Sequence, residues 1–575
     1  AAAAMALAAA PRPRPAAAPD GLSPPERQAV RNWISRLSLR ERVAQLVIVP
    51  FYGEAPGSAT RAWRDFQHLV RDVRVGGLVL LNRVDNGVVR NAEPHALGAF
   101  LNRMQKQARV PLIVAGDFER GASMRVAGTP RYPHAMAYGA AGDTRATRAI
   151  GAATAREARA LGVHWLLAPV ADVNSNPDNP IINIRSYGED PAAVAAHVRA
   201  FVEGAGSDPR NRVLVTLKHF PGHGDTALDS HLGLAATAAD RARLERVELV
   251  PFRAGIAAGA DAVMTAHMAV PALEPQPIPA TVSAAILTGL LREHLGFQGI
   301  IATDAMDMQG LSGRFPGGEA AVRALEAGAD VLLMPPKPEE AVNAVVAAVK
   351  SGRLSARRID RSVARILAAK ARVGLHRSRL VDLEAIGDVI DAPDGIALAQ
   401  AHADAAMTLV KNDGDLLPLK QPGAACYLVL AENRFGMQGR RFLDELRRRQ
   451  PKASAALLDP VLPEAEFDAA AARLSQCETA VVAAFVGIAL PGGFPKLVES
   501  LIATGKPVAL LAFGNPYLLR KFPRATAYLA AFSTTPTSEA AAIKALFGEI
   551  PIRGKLPVSI PGLASLGDGI QLPAR

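Results

Sequence analysis

Cysteine is nearly missing: Cys426 and Cys477 are the only two in 575 residues. That excludes a disulfide scaffold and any cysteine-rich zinc or iron–sulfur centre, and both are expected at buried positions of one domain. Aromatic residues make up only 5% and do not interleave with basic ones, which argues against a nucleic-acid surface. No charge-free apolar run reaches the ~18 residues a membrane-spanning helix needs, so no membrane span is expected.

What is present is ordinary for a soluble protein, with 49% hydrophobic and 21% charged residues. At this length one hydrophobic core is not enough, and two to four domains are expected. The formal charge of +11 is dispersed over many arginines. Its densest cluster, "ELRRRQPK" (445–452), reads as a solvated helix end. The opening "AAAAMALAAAPRPRPAAAPDG" (1–21) reads as the tail of an export signal or a low-complexity tether and is expected to be disordered. Export to the periplasm or cell envelope is the expectation, with the cytoplasm as the alternative.

Between residues 43 and 335, eight short apolar runs alternate with Ala/Arg/Glu-rich helical stretches. They are "VAQLVIVPF", "VGGLVLL", "LIVAGDF", "HWLLAPVADV", "VLVTLKHF", "AVMTAHM", "IIATDAM" and "VLLMP". Unbroken apolarity suits strands buried on both faces, hence a parallel sheet covered by helices. Eight such units predict a (β/α)8 barrel over 22–380. Five runs end in polar residues, at Asp117, Asp172, Lys218 with His219, His267, and Asp304. Barrel strands deliver such residues to one mouth, whereas an open doubly wound sheet would spread them along a crevice. After a linker at 381–396 the texture changes. Four more apolar runs between helical segments predict a smaller α/β sandwich over 397–575, with a mostly parallel sheet.

The stretch "KHFPGHGDTALDSH" (218–231) concentrates Lys218, His219, His223, Asp225, Asp229 and His231. A zinc site could use three of these, but Phe220–Pro221–Gly222 forbids the helix that would align His219 with His223. Metal-dependent barrel hydrolases also carry His-x-His after the first strand, where this chain reads "VIVPFYG". No metal is expected. Asp229, two positions before His231, can orient its ring and favour the imidazolium, a proton-transfer pair; the plain alternative is a turn-capping Asp beside a surface His. In "FQGIIATDAMDM" (297–308), Asp304 ends a strand and can attack an electrophilic carbon, while Asp307 is the better helix cap. A carboxylate nucleophile with a separate proton donor is the equipment for retaining glycosidic cleavage.

These two motifs together resemble glycoside hydrolase family 3, in particular its β-N-acetylglucosaminidase branch. The resemblance runs from about residue 36 to the end and includes "APVADVNSNPDNPIINIRSYGEDP" (168–191) and "TLVKNDGDLLPL" (408–419). It implies Asp304 as nucleophile, His231 as acid/base partnered by Asp229, and Asp117, Arg125, Arg185, Lys218 and His219 as sugar-binding residues. It implies a monomer without a cofactor, acting on terminal β-GlcNAc glycosides such as muropeptides from peptidoglycan. His223 and Asp225 are expected to shape the loop. One departure stands out: "DFERG" (117–121) replaces the family's usual "DQEGG", so a bulkier, more basic rim is expected from Phe118 and Arg120. Phosphorolysis, a β-glucosidase, a metal-dependent hydrolase and a silent sugar-binding protein remain as alternatives.

Overall fold

A computed structural model describes residues 21–85, 88–316, 318–487 and 490–575. The disorder expected for 1–21 falls almost wholly on residues outside these. All eight runs contain a strand: β1 Val47–Phe51, β2 Gly77–Leu80, β3 Ile113–Gly116, β4 Trp165–Leu166, β5 Leu214–Phe220, β6 Ala262–Thr265, β7 Ile300–Ala302 and β8 Leu332–Leu333. Each pairs in parallel with its sequence neighbour, and β1 also pairs with β8. The remaining seam, between β7 and β8, is closed by an Ala302–Val331 bridge, with Thr303 N–H donating to Val331 C=O at 3.0 Å. The sheet is thus a barrel. Apart from Thr216, Lys218 and His219 of β5 and Thr265 of β6, its strands are apolar, because side chains on one face fill the barrel and those on the other meet helices.

That seam carries a buried charge cluster. Asp330, with no solvent exposure, accepts Ile301 N–H at 3.1 Å and is ringed by Arg292, Arg365 at 3.1 Å and Arg358 at 3.6 Å. One carboxylate therefore joins the closing strands to two surrounding helical segments.

The second domain contains β9 Thr408–Asn412, β10 Cys426–Leu430, β11 Ala455–Leu458, β12 Ala480–Val486, β13 Val508–Gly514 and β14 Ala527–Ala530. Its sheet runs β9-β14-β13-β12-β10-β11, parallel except for β9 at one edge. Alternate residues of β12 enter different cores: Val482 and Ala484 one, Val481 and Phe485 the other. Helices cover both faces, making a three-layer sandwich. The cysteines, expected merely to be buried, form a disulfide with Cα atoms 6.0 Å apart. Cys426 starts β10, while Cys477 is only half-buried in the turn leading to β12.

Residues 381–396 lie on the barrel: Val381 exchanges two hydrogen bonds with Asn102 (2.7 and 2.8 Å), and Ile386 is buried in the barrel core. The domains meet closely. The barrel helix Ala135–Ala141 places Met136, Ala137 and Ala140 in a core of the second domain. A Cβ on Gly139 of that helix would sit 1.8 Å from Tyr187 C=O, so only glycine permits the approach. Among the described residues, no helix is long and apolar enough to cross a membrane.

Asp330→Ala would strand three arginines at the seam and should cost the barrel about 3–5 kcal/mol. All three tryptophans (Trp33, Trp63, Trp165) belong to the barrel, so their fluorescence in a urea titration reads this loss. An unchanged midpoint would contradict the assigned role.

Candidate active site

The barrel mouth opens into a cavity of about 410 Å³, within the range of small-ligand sites. Asp117, Arg125, Arg185, Lys218, His219, His231 and Asp304 all line it: Lys218 and His219 from the end of β5, the others from the segments that follow β3, β4, β5 and β7. Asp229 does not line it but is held by its partner. Its carboxylate accepts the His231 backbone N–H at 2.8 Å and lies 2.7 Å from ring Nδ1. That pairing leaves the Nε2 edge of the ring free for substrate.

The floor is a chain of ion pairs. Lys218 Nζ, almost fully buried, donates to Asp117 at 2.8 Å and sits 2.7 Å from Glu119. Arg185 clamps Glu119 with two bonds of 2.8 and 3.0 Å, and Arg125 donates to Asp117 at 2.8 Å. Burial alone would raise the Asp117 carboxyl, but Lys218 and Arg125 outweigh it and hold it at about 2. Glu119 is likewise held well below the usual range, by Arg185 and Lys218 against burial. Burial would lower Lys218, yet Asp117 and Glu119 raise it, so it stays a cation. Glu119 joins the whole floor together. The signal for it in the sequence is its place two residues after Asp117, which puts it on the same side of an extended chain.

Asp304 lies at the tip of β7, where its Oδ1 accepts Ala305 N–H at 2.7 Å. Burial pushes its carboxyl up, but His219, His267, that backbone N–H and Lys218 together bring it below its ordinary value. His267, also fully buried, donates from Nε2 to Ala305 C=O at 2.9 Å and so steadies the peptide behind the carboxylate. Asp307 is not a cap: the helix Gln309–Ser312 begins from Met308, and Asp307 lines the cavity instead.

The loop from β5 to the dyad is set by Asp172. Its carboxylate accepts the backbone N–H of His219 at 3.2 Å and of His223 at 2.7 Å, and pairs with His219 Nδ1 at 2.8 Å. His223 lines the cavity while also reaching Ser230 at 3.0 Å and Thr226 at 2.7 Å. Asp225 is tied at 2.9 Å to both Arg243 and Thr237, away from the cavity. Ser230 C=O accepts Gly310 N–H at 3.2 Å, which fastens the dyad's loop to the segment after Asp304. The glycines of "PGHG" have separate reasons. Gly222 takes φ 131° against Glu248, and a Cβ on Gly224 would lie 1.8 Å from Val173 C=O.

The "DFERG" departure acts differently from expectation. Phe118 has no exposure and packs beside Gly116, because alternation turns it from the cavity that Asp117 and Glu119 face. Arg120 is half-buried and absent from the cavity lining. Neither residue thickens the rim.

Gly224→Ala should therefore cost at least about 2 kcal/mol and most of the activity. Gly233→Ala, whose added methyl meets only Leu228 at 3.6 Å, should cost little of either. Thermal melting and turnover of both variants test the contrast; equal behaviour would contradict it.

Comparison with known proteins agrees with this architecture. The family model for the glycosyl hydrolase family 3 N-terminal domain matches residues 38–369, and that for the C-terminal domain matches 407–571. A β-N-acetylglucosaminidase/β-glucosidase of Cellulomonas fimi is 30% identical over 572 residues, covering 94% of this chain and 97% of that one. The solved structure of a glycoside hydrolase family 3 β-N-acetylglucosaminidase from Paenibacillus sp. str. FPU-7 superposes with TM-score 0.82 at 33% identity, covering 91% and 99%. A β-glucoside phosphorylase structure has the same TM-score at 26% identity, covering 94% of this chain and 98% of that one.

Proposed function

The chain belongs to glycosyl hydrolase family 3, and within it we propose a retaining, exo-acting β-N-acetylglucosaminidase. The observation that carries the reading is that Asp304 and His231 line one cavity at the barrel mouth, with the almost fully buried Lys218 in its lining. Side chains fill a barrel of this kind beneath its mouth, so a substrate enters it by a chain end, as exo action requires.

In this reading the terminal sugar rests on the floor, its hydroxyls exchanging bonds with Asp117, Lys218, Arg185 and His219, and Arg125 flanking them. These groups offer both donors and acceptors, as sugar hydroxyls demand. Asp304, kept ionised by its cationic neighbours, attacks the anomeric carbon from one side. His231, protonated and oriented by Asp229, gives its proton to the leaving oxygen on the other. The imidazole, now neutral, takes a proton from water, which attacks the same carbon and releases Asp304. Each bond made is matched by one broken, so no cofactor enters the reaction. The single Cys426–Cys477 disulfide belongs to oxidising compartments and supports export.

Asp304→Ala should abolish turnover of an aryl β-GlcNAc. His231→Ala should lose about 10²–10⁴-fold on poor leaving groups and much less on activated ones. The pH profile separates the two roles. A nucleophile whose carboxyl is depressed is lost only as pH falls through its lowered value, so the acid limb should lie below the ordinary carboxylate range. His231→Ala assayed on an activated substrate should keep that acid limb. Full activity in Asp304→Ala ends the reading.

Phosphorolysis is the second reading, favoured by the histidine itself. After giving up its proton it is neutral where a carboxylate would be anionic, so phosphate is less repelled. Hydrolysis predicts rates unaffected by added phosphate and no GlcNAc-1-phosphate; accumulation of that ester would replace hydrolase with phosphorylase. The same assays with aryl glucoside test the inner-sugar preference.

A further inference from the structure

Beside the catalytic cavity runs a second cleft of about 390 Å³ that the mechanism does not use. It is built from the loops after β8, β1, β2 and β7, so it opens at the same mouth. Asp307 and Met334 line both spaces. Met334 stands at the sill between them with its backbone in the left-handed region, φ 52°, an uncommon state for a residue with a side chain. Asp307 lies within electrostatic reach of both Asp304 and His231, so the cleft adjoins the pair that would act on the glycosidic bond.

Its outer wall is Tyr52, a large ring left 42% exposed. Arg83 stands over that ring at 5.7 Å and is paired with Glu54 at 3.1 Å. An exposed ring beside a linked donor and acceptor suits the apolar face and hydroxyls of a pyranose. The charge decides which pyranose. Glu54, Asp65 and Asp307 face a single guanidinium among the lining residues, and that guanidinium is already engaged by Glu54. Arg61 reaches Asp65 from the solvent side at 3.8 Å, which softens the excess without leaving a cation for an incoming acid. A carboxylate-bearing sugar would enter against like charge.

We propose that this cleft is the aglycone subsite and that it takes a neutral second amino sugar, as in a β-linked GlcNAc disaccharide, in preference to one bearing a lactyl carboxylate. The inference rests on the exo-β-N-acetylglucosaminidase reading above. It narrows the substrate toward chitin-type oligomers and away from peptidoglycan fragments.

The test uses the full chain and three substrates: N,N′-diacetylchitobiose, the equivalent disaccharide with a lactyl ether on its second sugar, and N-acetyl-β-glucosaminyl fluoride, which has no second ring. In the wild type the neutral disaccharide should exceed the lactyl one in kcat/KM by about tenfold. In Tyr52→Ala the ratio of kcat/KM on chitobiose to that on the fluoride should fall about tenfold. Tyr52→Phe, which keeps the ring, should hold that ratio within about twofold. A wild-type preference for the lactyl disaccharide, or an unchanged ratio in Tyr52→Ala, overturns the proposal. Failure of the wild type on the fluoride would instead overturn the glycosidase reading on which it stands.

Discussion

One buried carboxylate organises the catalytic loop. Asp172 has no solvent exposure, yet it ties the backbone at both ends of the turn His219–His223 and orients the His219 ring. A buried anion is tolerated only when its oxygens are fully engaged, and here backbone N–H groups and an imidazole do that. The consequence reaches both halves of the chemistry. His219 is turned toward Arg185, its Nε2 at 3.4 Å, and adds to the field that keeps Asp304 ionised. His223, fixed by the same carboxylate, holds Ser230, the residue before His231. In the proposed mechanism, nucleophile and proton donor thus share one anchor although they sit on different loops.

The cavity floor shows why ionised groups survive there. Asp117, Glu119 and Asp304 are matched by Lys218, Arg125 and Arg185, with Asp307 a further carboxylate in the lining. At about 4 Å and intermediate dielectric, each close pair is worth ~4 kcal/mol, comparable with the several kcal/mol each ion loses on leaving water. Neither effect wins by a wide margin. The decision falls to geometry, and the two-pronged Arg185–Glu119 contact and the bifurcating Lys218 supply it. A sugar that displaced these contacts without replacing them would bind poorly, which is a demand for hydroxyls in matching positions.

Much of this was legible in the chain. Continuous apolar runs locate all eight barrel strands, and polar residues at their ends mark Asp117, Lys218, His219 and Asp304 as neighbours. The signals that failed were those needing a direction or a distant partner. Phe118 stands between two cavity residues in the chain, but alternation after Gly116 puts it in the core. Asp307 looked like a cap because a carboxylate shortly before a helix often is one, but the helix starts a residue later and is only four residues long. The cysteines, 51 apart, gave no sign of pairing, since their approach depends on strand and turn meeting across the second domain. Tyr52 and Asp307 become neighbours only through the β1–β8–β7 closure, which no local pattern encodes.

The long shared segment "NSNPDNPIINIRSYGEDP" also has a different meaning in space. Arg185 alone among its charged residues enters the cavity. Asn174 donates to Tyr517 at 2.9 Å, Asp178 pairs with Arg520 at 2.7 Å, and the N–H of Glu189 donates to Pro557 C=O at 2.9 Å, all across to the second domain. Asp190 turns back to cap the next barrel helix at Ala193 N–H. The cavity lining contains no residue beyond Met334, so among the described residues the second domain contributes nothing to it directly. What the domain does is hold the loop that aims Arg185. A guanidinium that must meet Glu119 with two bonds tolerates little rotation; within the barrel, Arg185 also donates to Ile181 C=O at 3.0 Å, and Asn179 holds the N–H groups of Ile181 and Ile182. The sandwich domain thus bears on the proposed sugar site through rigidity, holding the segment on both sides of the arginine.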